Sequence, residues 1–221
     1  IKELGEFYTQ NTTGTKANLP ELTIQYSSFA NWQKQQLKTP EYKKQLTYWK
    51  EKLSGELPIL NLPINHPRQK NMTFNGAKHI HHIPADLAKK LQKLSQENSV
   101  SLFMSLMAIY KTMLFRYTME ENIIVGTPLA SRSKKELENL IGYFVNSIVM
   151  RTSLEGEPSF TELLTRIKTT SLEAFSNQAV PFDKLVAELK PERLSNQNPI
   201  FQTMFVFQNA PLPDLELPGL K

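Results

Sequence analysis

Residues 101–129 read SLFMSLMAIYKTMLFRYTMEENIIVGTPL, an apolar helix pattern that leads at once into an apolar strand pattern. Apolar side chains recur at helical spacing from Leu102 to Tyr117 over a wide arc, which predicts a helix that is buried on most sides. The run Ile-Ile-Val-Gly near the start of residues 122–129 predicts a buried strand. A helix followed directly by a buried strand indicates an α/β fold.

The flanking sequence continues this alternation of helix and strand. Helical spacing predicts helices over residues 27–39, 41–53, 84–96, 158–176 and 182–189, and the last turns of another around Leu4 to Tyr8. Strand patterns cover residues 78–83, 145–152 and 201–208. The predicted class is α/β, with a central mixed β-sheet packed with helices. We expect residues 1–72 to form a helical entry and connector, and residues 73–221 to form the α/β core.

The composition excludes several kinds of site. The chain has no cysteine, which rules out disulfides, thiolate metal sites and a cysteine nucleophile and fits a cytoplasmic protein. The net charge of +5 comes from scattered lysines, so it fits an acidic partner and does not indicate nucleic acid. The sequence contains no apolar run of membrane-spanning length.

Four short motifs occur in a fixed order along the chain. They read YSSFANWQ at residues 26–33, IGYFVNS at 141–147, NQAVPFD at 177–183 and RLSNQNPIF at 193–201. Together they resemble the motifs Y-x-D-F-A-x-W, I-G-x-F-V-N-T, H/N-Q-D-x-P-F-E and R-D-x-S-R-N-P-L-F of condensation domains in nonribosomal peptide synthetases. The resemblance covers essentially all 221 residues. The chain departs from the family where Ser28 replaces Asp, and where Leu194, Asn196 and Gln197 replace Asp, Ser and Arg.

The resemblance implies a fold of two similar α/β lobes, like chloramphenicol acetyltransferase, with a tunnel between them. Phosphopantetheine arms on donor and acceptor carrier domains would enter this tunnel, and the acceptor amine would attack the donor thioester. The chain would be the C-terminal lobe, truncated at both ends and inactive alone. The catalytic His-His-x-x-x-Asp-Gly segment is expected upstream of Ile1. Expected partners are the N-terminal lobe, the carrier domains and an adjacent adenylation domain, with no membrane contact and no directly bound cofactor.

One stretch imitates the catalytic motif. Residues 81–86 read HHIPAD, but Leu87 stands where the family has Gly, and Pro84 indicates the start of a helix inside the match. Asp86 would then lie in the first helical turn, where the helix dipole favours an acidic residue. We therefore interpret this stretch as structural. His79 and His81 share one predicted strand face, but no carboxylate or cysteine is predicted beside them, so no metal site is expected.

The resemblance assigns candidate roles within the motifs. Asn146, Ser147, Asn177 and Gln178 would line the acceptor side of the tunnel. Two alternatives remain open: Asn146 satisfies buried backbone groups, or Asn177 and Gln178 form only a helix C-cap and a turn. The residues expected to be structural are Tyr26, Trp32, Gly142, Pro181, Phe182, Arg193, Asn198 and Pro199.

Basic residues have two interpretations. Arg132 and Arg151 would form surface ion pairs, or bind carboxylates or the phosphate of pantetheine. The lysines of the predicted helical hairpin would form a solvated face, or a docking surface for an acidic carrier domain; they are Lys34, Lys38, Lys43, Lys44, Lys50 and Lys52. Two alternatives to a condensation lobe are an epimerisation domain and a non-catalytic carrier-docking module. The epimerisation family reads Val-Gly-Trp-Phe-Thr where this chain reads Ile-Gly-Tyr-Phe-Val-Asn, which favours condensation.

Overall fold

The computed structural model describes residues 2–71, 75–132, 134–192, 196–209 and 217, with only the backbone of Lys2. Within these residues lie seven α-helices, one 3-10 turn and two paired strands. The helices are α1 Lys2–Thr13, α2 Tyr26–Gln36, α3 Pro40–Lys52, α4 Ala85–Glu97, α5 Leu102–Thr118, α6 Phe160–Ser176 and α7 Phe182–Leu189. The 3-10 turn is Lys135–Leu137, and the strands are β1 Asn122–Ala130 and β2 Val145–Ser153.

The chain divides into two compact units. The first unit contains residues 1–33, 132–143 and 207–221, and therefore α1, most of α2 and the 3-10 turn. The second unit contains residues 34–131 and 144–206, and therefore both strands and helices α3 to α7. The second unit holds the main hydrophobic core.

Strands β1 and β2 form an antiparallel pair whose register runs from Asn122 opposite Ser153 to Ala130 opposite Val145. A third segment joins this pair through one parallel bridge between Gly126 and Met204. The Gly126 amide donates to the Thr203 carbonyl at 3.0 Å. The α/β class with mixed strand directions is thus confirmed, but the predicted strand over 201–208 is reduced to this bridge.

Gly126 makes the close approach of the third segment possible. A Cβ atom on Gly126 would lie 2.5 Å from the Phe201 ring, closer than any real side-chain contact. The Phe201 side chain is buried, so it has no open space into which it can retreat. The aromatic density of residues 201–208, which predicts a central strand, instead reflects this packing over the glycine.

The predicted strand over residues 78–83 is a second correction. Residues 75–84 have no assigned strand partner, and the side chains of Ile80 and Ile83 are 63% and 53% exposed. Alternating apolar side chains indicate an extended backbone, but a strand also needs a partner at hydrogen-bonding distance. No such partner lies opposite this segment within the described residues.

Helix ends follow local capping chemistry. Ser159 begins α6 with a capping box: its hydroxyl accepts from the Glu162 amide at 3.3 Å, and the Glu162 carboxylate accepts from the Ser159 amide at 2.7 Å. The Ser159 hydroxyl also donates to the Glu162 carboxylate at 2.7 Å, and this hydrogen bond, followed by that of the Ser159 amide, lowers the pKa of Glu162. The C-terminal end of α5 is Met119 in the left-handed conformation, which turns the chain into β1.

Helix α5 differs from its predicted burial. Ile109, Met113 and Tyr117 form an exposed face, whereas Met107 and Leu114 on the opposite face are buried. The apolar arc of the sequence is therefore wider than the face that the core covers. The core of the second unit is completed by side chains from both strands, α3 and α6, among them Trp49, Ile123, Val125, Val149, Leu164 and Ile167.

A lysine lies fully buried on the covered face of α5. The Lys111 ammonium donates to the carbonyls of Ile123 at 3.1 Å and Met150 at 2.6 Å, and to the Thr152 hydroxyl at 2.9 Å. These three acceptors use all three N–H groups of an ammonium. Burial lowers the pKa of Lys111 well below its usual value, and the charge of Lys52 lowers it further.

Lys111 should make stability depend on pH. Because its folded pKa lies below the usual value of about 10.4, the unfolded state binds more protons in the window between the two, so the free energy of unfolding rises with pH there. Lys111→Met removes this dependence and leaves two carbonyls unpaired. We expect the variant to be less stable at about pH 10 by about 1–3 kcal/mol, with a smaller deficit at about pH 8.

Urea unfolding of the wild-type protein, Lys111→Met and Lys93→Met at both pH values measures this effect. Lys93 is an exposed lysine of α4, so its substitution should leave the pH profile parallel to that of the wild type. Parallel profiles for Lys111→Met and the wild type would contradict the expected linkage.

Candidate functional site

The amide of Asn146, near the start of β2, holds a turn between α6 and α7. Its Nδ2 donates to the carbonyls of Gln178 at 3.0 Å and Val180 at 2.9 Å, and its Oδ1 accepts from the Phe182 amide at 3.0 Å. Both N–H groups and the carbonyl oxygen of the side chain are therefore engaged by backbone. This contact joins two of the four sequence motifs, and we call residues 177–182 the motif turn.

Helix α3 holds the motif turn at two further points. The Gln45 side-chain oxygen accepts from the Ala179 amide at 3.0 Å, and the Trp49 indole donates to the Asn177 carbonyl at 2.8 Å. Both Gln45 and Trp49 are buried, so these hydrogen bonds are shielded from water. The turn is thus fixed by strand β2 and by helix α3.

The other predicted tunnel residues take different positions around this turn. Asn177 is the C-cap of α6, and its Nδ2 donates to the Glu173 carbonyl at 2.8 Å. The side chain of Gln178 is exposed, while Ser147 is partly buried on β2 opposite Pro128. The structure therefore brings Asn146 and the backbone of residues 177–182 together, and leaves the Gln178 side chain facing solvent.

Pro181 and Phe182 begin α7. Pro181 is the N-cap residue of this helix, and the Phe182 ring lies 5.2 Å from the Phe201 ring between centroids. The fixed backbone angle of proline suits a helix start, and the ring packs α7 against the segment that bridges Gly126. Within the second unit, the third motif therefore reaches the last one through an aromatic contact.

In the first unit, the motif of residues 26–33 contacts the start of the motif of residues 141–147. The Tyr26 hydroxyl donates to the Tyr143 carbonyl at 2.9 Å, and a Cβ atom on Gly142 would lie 2.2 Å from the Tyr26 ring. Only glycine fits beneath that ring. Trp32 is partly buried, and the Lys134 ammonium lies 4.8 Å from the centroid of its ring.

The two arginines bind backbone carbonyls. Arg132 donates to the carbonyls of Leu137 and Leu140 and so holds the 3-10 turn. Arg151 donates from Nη1 to the carbonyls of Lys52 at 3.2 Å and Ser54 at 2.9 Å, at the C-terminal end of α3. The expected surface ion pair of Arg151 is not formed within the described residues, because the orphan carbonyls of a helix end are its acceptors.

The basic helical hairpin is partly neutralised. Lys50 pairs with Glu188 at 2.5 Å and Lys52 pairs with Glu173 at 2.9 Å. The Lys50 pair lowers the pKa of Glu188. The side chains of the other lysines of this surface are exposed, and these are Lys34, Lys38, Lys43 and Lys44.

The structure describes only residues 196–201 of the last motif. Arg193 and Leu194 lie outside the described residues. Asn198 and Pro199 line an open cleft of about 770 Å³ in the second unit, together with the connector after α3. The Asn198 carbonyl accepts from the Gln202 side-chain Nε2 at 3.3 Å.

The residues that imitate the catalytic motif are exposed. His81 and His82 lie on the unpaired segment before α4, and Asp86 occupies the first turn of α4, 3.7 Å from Lys90. Within the described ranges, no group of three or more His, Asp or Glu side chains is arranged to hold a metal ion. No helix of the part described is long and apolar enough to cross a membrane.

Comparison with known proteins assigns the chain to a family. A model of the condensation domain family matches residues 1–217, so the chain belongs to that family. It is 46% identical over 212 residues to a linear gramicidin synthase of Brevibacillus parabrevis and 40% identical over 220 residues to gramicidin S synthase 2 of Brevibacillus brevis. These alignments cover 96% and 100% of this chain but 4% and 5% of the two relatives, so the chain spans a small part of their length.

A solved structure shares the fold. The complex of the X-domain and OxyB from teicoplanin biosynthesis contains a chain that superposes with a TM-score of 0.87 at 23% sequence identity. The superposition covers 99% of this chain and 48% of that one. At this identity the likeness establishes the fold alone.

Asn146 should stabilise the protein through the motif turn. Asn146→Ala leaves the Phe182 amide and two carbonyls without their partner, so we expect a loss of about 1–3 kcal/mol in the free energy of unfolding. Asn146→Asp should be at least as destabilising, because a carboxylate oxygen then faces the carbonyls of Gln178 and Val180. Ser147→Ala is the matched control on the same strand, and denaturant unfolding of all three variants checks the order. Equal stability of Asn146→Ala and Ser147→Ala would contradict it.

Proposed function

We propose that the chain is the C-terminal lobe of a two-lobe condensation domain that forms an amide bond between two carrier-bound substrates. Membership of the condensation domain family supports this proposal, and so do relatives that are named as gramicidin synthases. The observation that carries it is the Asn146 amide, which fixes the motif turn with three hydrogen bonds.

In the proposed reaction the acceptor amine attacks the carbonyl carbon of the donor thioester. A C–N bond forms, the C–S bond breaks, and the amine proton is transferred through a base to the leaving thiolate. We place that base, a histidine, in a segment that precedes Ile1. The chain itself supplies no catalytic residue in this proposal, and direct attack of the amine on the thioester needs no serine or cysteine nucleophile.

The chain would form the acceptor-side wall of the tunnel. Asn146 is then a positioning residue, because its three hydrogen bonds go to backbone and not to a substrate. Ser147, Asn177 and Gln178 lie on or beside the elements that it fixes. The exposed Gln178 side chain is the one of these best placed to reach an acceptor substrate.

The proposed partners follow from the same assignment. They are the N-terminal lobe, donor and acceptor carrier domains that bear phosphopantetheine, and an adenylation domain, in a cytoplasmic assembly. The mild positive charge of the chain would favour acidic carrier domains.

Asn146 tests the proposal through the rate of the reaction. In the two-lobe domain, Asn146→Ala should lower the single-turnover rate of amide formation at saturating acceptor by about ten- to a hundred-fold, which corresponds to about 1–3 kcal/mol. Asn98→Ala is the matched control: Asn98 also donates to a backbone carbonyl, at the end of α4, outside all four motifs. It should lower stability and leave the rate within about twofold.

A normal rate in folded Asn146→Ala would remove the positioning role. If the wild-type domain binds loaded carriers but forms no amide, the carrier-docking alternative is correct and the proposed function is wrong.

The exposed histidines provide a separate test. In the two-lobe domain, His82→Ala should leave the rate of amide formation within a few-fold of wild type, because His82 is exposed on the unpaired segment before α4. The 221-residue chain alone should form no amide above background between loaded carriers. A loss of several orders of magnitude in His82→Ala, or product from the chain alone, would place catalysis within these residues.

A further inference from the structure

The C-terminal end of β2, far from Asn146, borders a cleft that is lined by basic side chains. This β2–α6 cleft has a volume of about 400 Å³. Three basic side chains line it, one each from α3, β2 and α6: Lys52, Arg151 and Arg166. None of its lining residues is acidic. Basic side chains that converge from three elements produce a positive potential that attracts anions.

Arg166 has N–H groups in this cleft that are available for a further hydrogen bond. Its Nη1 donates to the carbonyls of Ser153 at 3.0 Å and Glu155 at 2.9 Å, which fixes the orientation of the guanidinium. Within the described residues, its Nε and Nη2 groups have no hydrogen-bond partner. A guanidinium presents its N–H groups as a planar fork that matches the oxygens of a phosphate.

Lys52 and Arg151 are held beside it. The Lys52 ammonium donates to one Glu173 oxygen at 2.9 Å, which leaves two further N–H groups. Arg151 is fixed by the carbonyls of Lys52 and Ser54. The cleft is therefore organised in advance, so an anion would not have to order these side chains on binding.

Threonine hydroxyls complete the lining. Thr165 and Thr169 are exposed on one face of α6, and Thr152 and Thr170 are buried at the floor, with their hydroxyl oxygens 3.4 Å apart. A hydroxyl donates as well as accepts, so threonines are suitable neighbours for phosphate oxygens.

A buried lysine lies directly behind the floor. The Lys111 ammonium donates to the Thr152 hydroxyl at 2.9 Å, and within the described residues no carboxylate pairs with it. Burial is the main cause of the lowered pKa of Lys111, and the positive charge of Lys52 lowers it further. An anion in the cleft would offset the effect of the Lys52 charge.

Two carboxylates near the cleft reduce its positive charge. Glu173 pairs with Lys52, and Glu162, one turn before Arg166 on α6, interacts with the charge of Arg166 and accepts from the Ser159 backbone amide. Neither side chain lines the cleft.

We propose that the β2–α6 cleft is a binding site for a phosphate-type oxyanion, held by Arg166, Lys52 and the exposed Thr169 hydroxyl against the fixed charge of Arg151. The site involves none of the motif-turn residues, so its test does not depend on the role proposed for Asn146. The phosphate group can come from a free anion or from a phosphopantetheine arm, and the same side chains would bind either source.

Isothermal titration of the purified protein with inorganic phosphate, at constant ionic strength set with chloride, tests the site. Arg166→Gln should weaken binding about tenfold, because two charge-assisted hydrogen bonds are lost. Lys52→Gln should weaken it by a smaller factor. Arg116→Gln removes an exposed arginine of α5 outside the cleft, so it is the matched control and should bind as the wild type does. Melting temperatures of the variants establish that each one is folded.

A second titration, with 4′-phosphopantetheine, separates the two sources. Equal affinity for both ligands would support a free phosphate as the occupant, and much tighter binding of phosphopantetheine would identify the carrier arm. Absence of phosphate binding to the wild type would overturn the proposal. Equal weakening in Arg166→Gln and Arg116→Gln would overturn it as well, because general charge and not the cleft would then attract the anion.

Discussion

The nine-residue antiparallel register between β1 and β2 determines where the side chains of both strands lie, from Asn146 to Thr152. It sets Asn146 opposite Leu129 at one end and Thr152 opposite Ile123 at the other. A two-stranded ribbon is marginal in water by itself. Here α5 and α6 pack on it, and the segment at Met204 bridges to Gly126, so the central residues Ile148 to Met150 become buried. The register is therefore stable only together with the helices that cover it.

Lys111 makes that register specific. Its ammonium reaches one carbonyl from each strand, those of Ile123 and Met150, in addition to the Thr152 hydroxyl. A slip of one residue in the pairing would remove at least one of these acceptors and leave a buried polar group unpaired, which is costly. An apolar residue at this position would leave the carbonyls of Ile123 and Met150 without this donor in any register, so it would not distinguish one register from the next. The buried lysine therefore favours one pairing of the strands, although burying its charged form is costly.

Local signals in the sequence predict most of the helices and both paired strands, because amphipathic spacing, proline starts and serine caps act within a few residues. Helix α7 occupies the same residues that its spacing predicts. Strand pairing is not local, and for that reason the patterns at 78–83 and 201–208 predict strands that the structure does not contain. The burial of Lys111 cannot be predicted from the sequence for a similar reason. Its three hydrogen-bond acceptors lie on two later strands, and the residues next to it in the helix do not indicate them.

In the candidate site, too, the sequence predicts which residues matter but not the contacts between distant residues. The order of the motifs singles out Asn146 and the motif turn, but only the fold shows that an amide 32 residues before Gln178 bonds to its backbone. The β2–α6 cleft has no sequence signature, because Lys52, Arg151 and Arg166 belong to three different elements.

Asn146 and Thr152 lie six positions apart on β2, which corresponds to about 20 Å along a strand. Sites more than about 10 Å apart with no shared partners contribute almost additively to stability. The hydrogen bonds of Asn146 at one end and the β2–α6 cleft at the other therefore contribute separately to stability, although one strand positions both. Substitutions at the cleft leave the three hydrogen bonds of Asn146 in place, so the strand can present an anion site at one end while the motif turn at its other end is held unchanged.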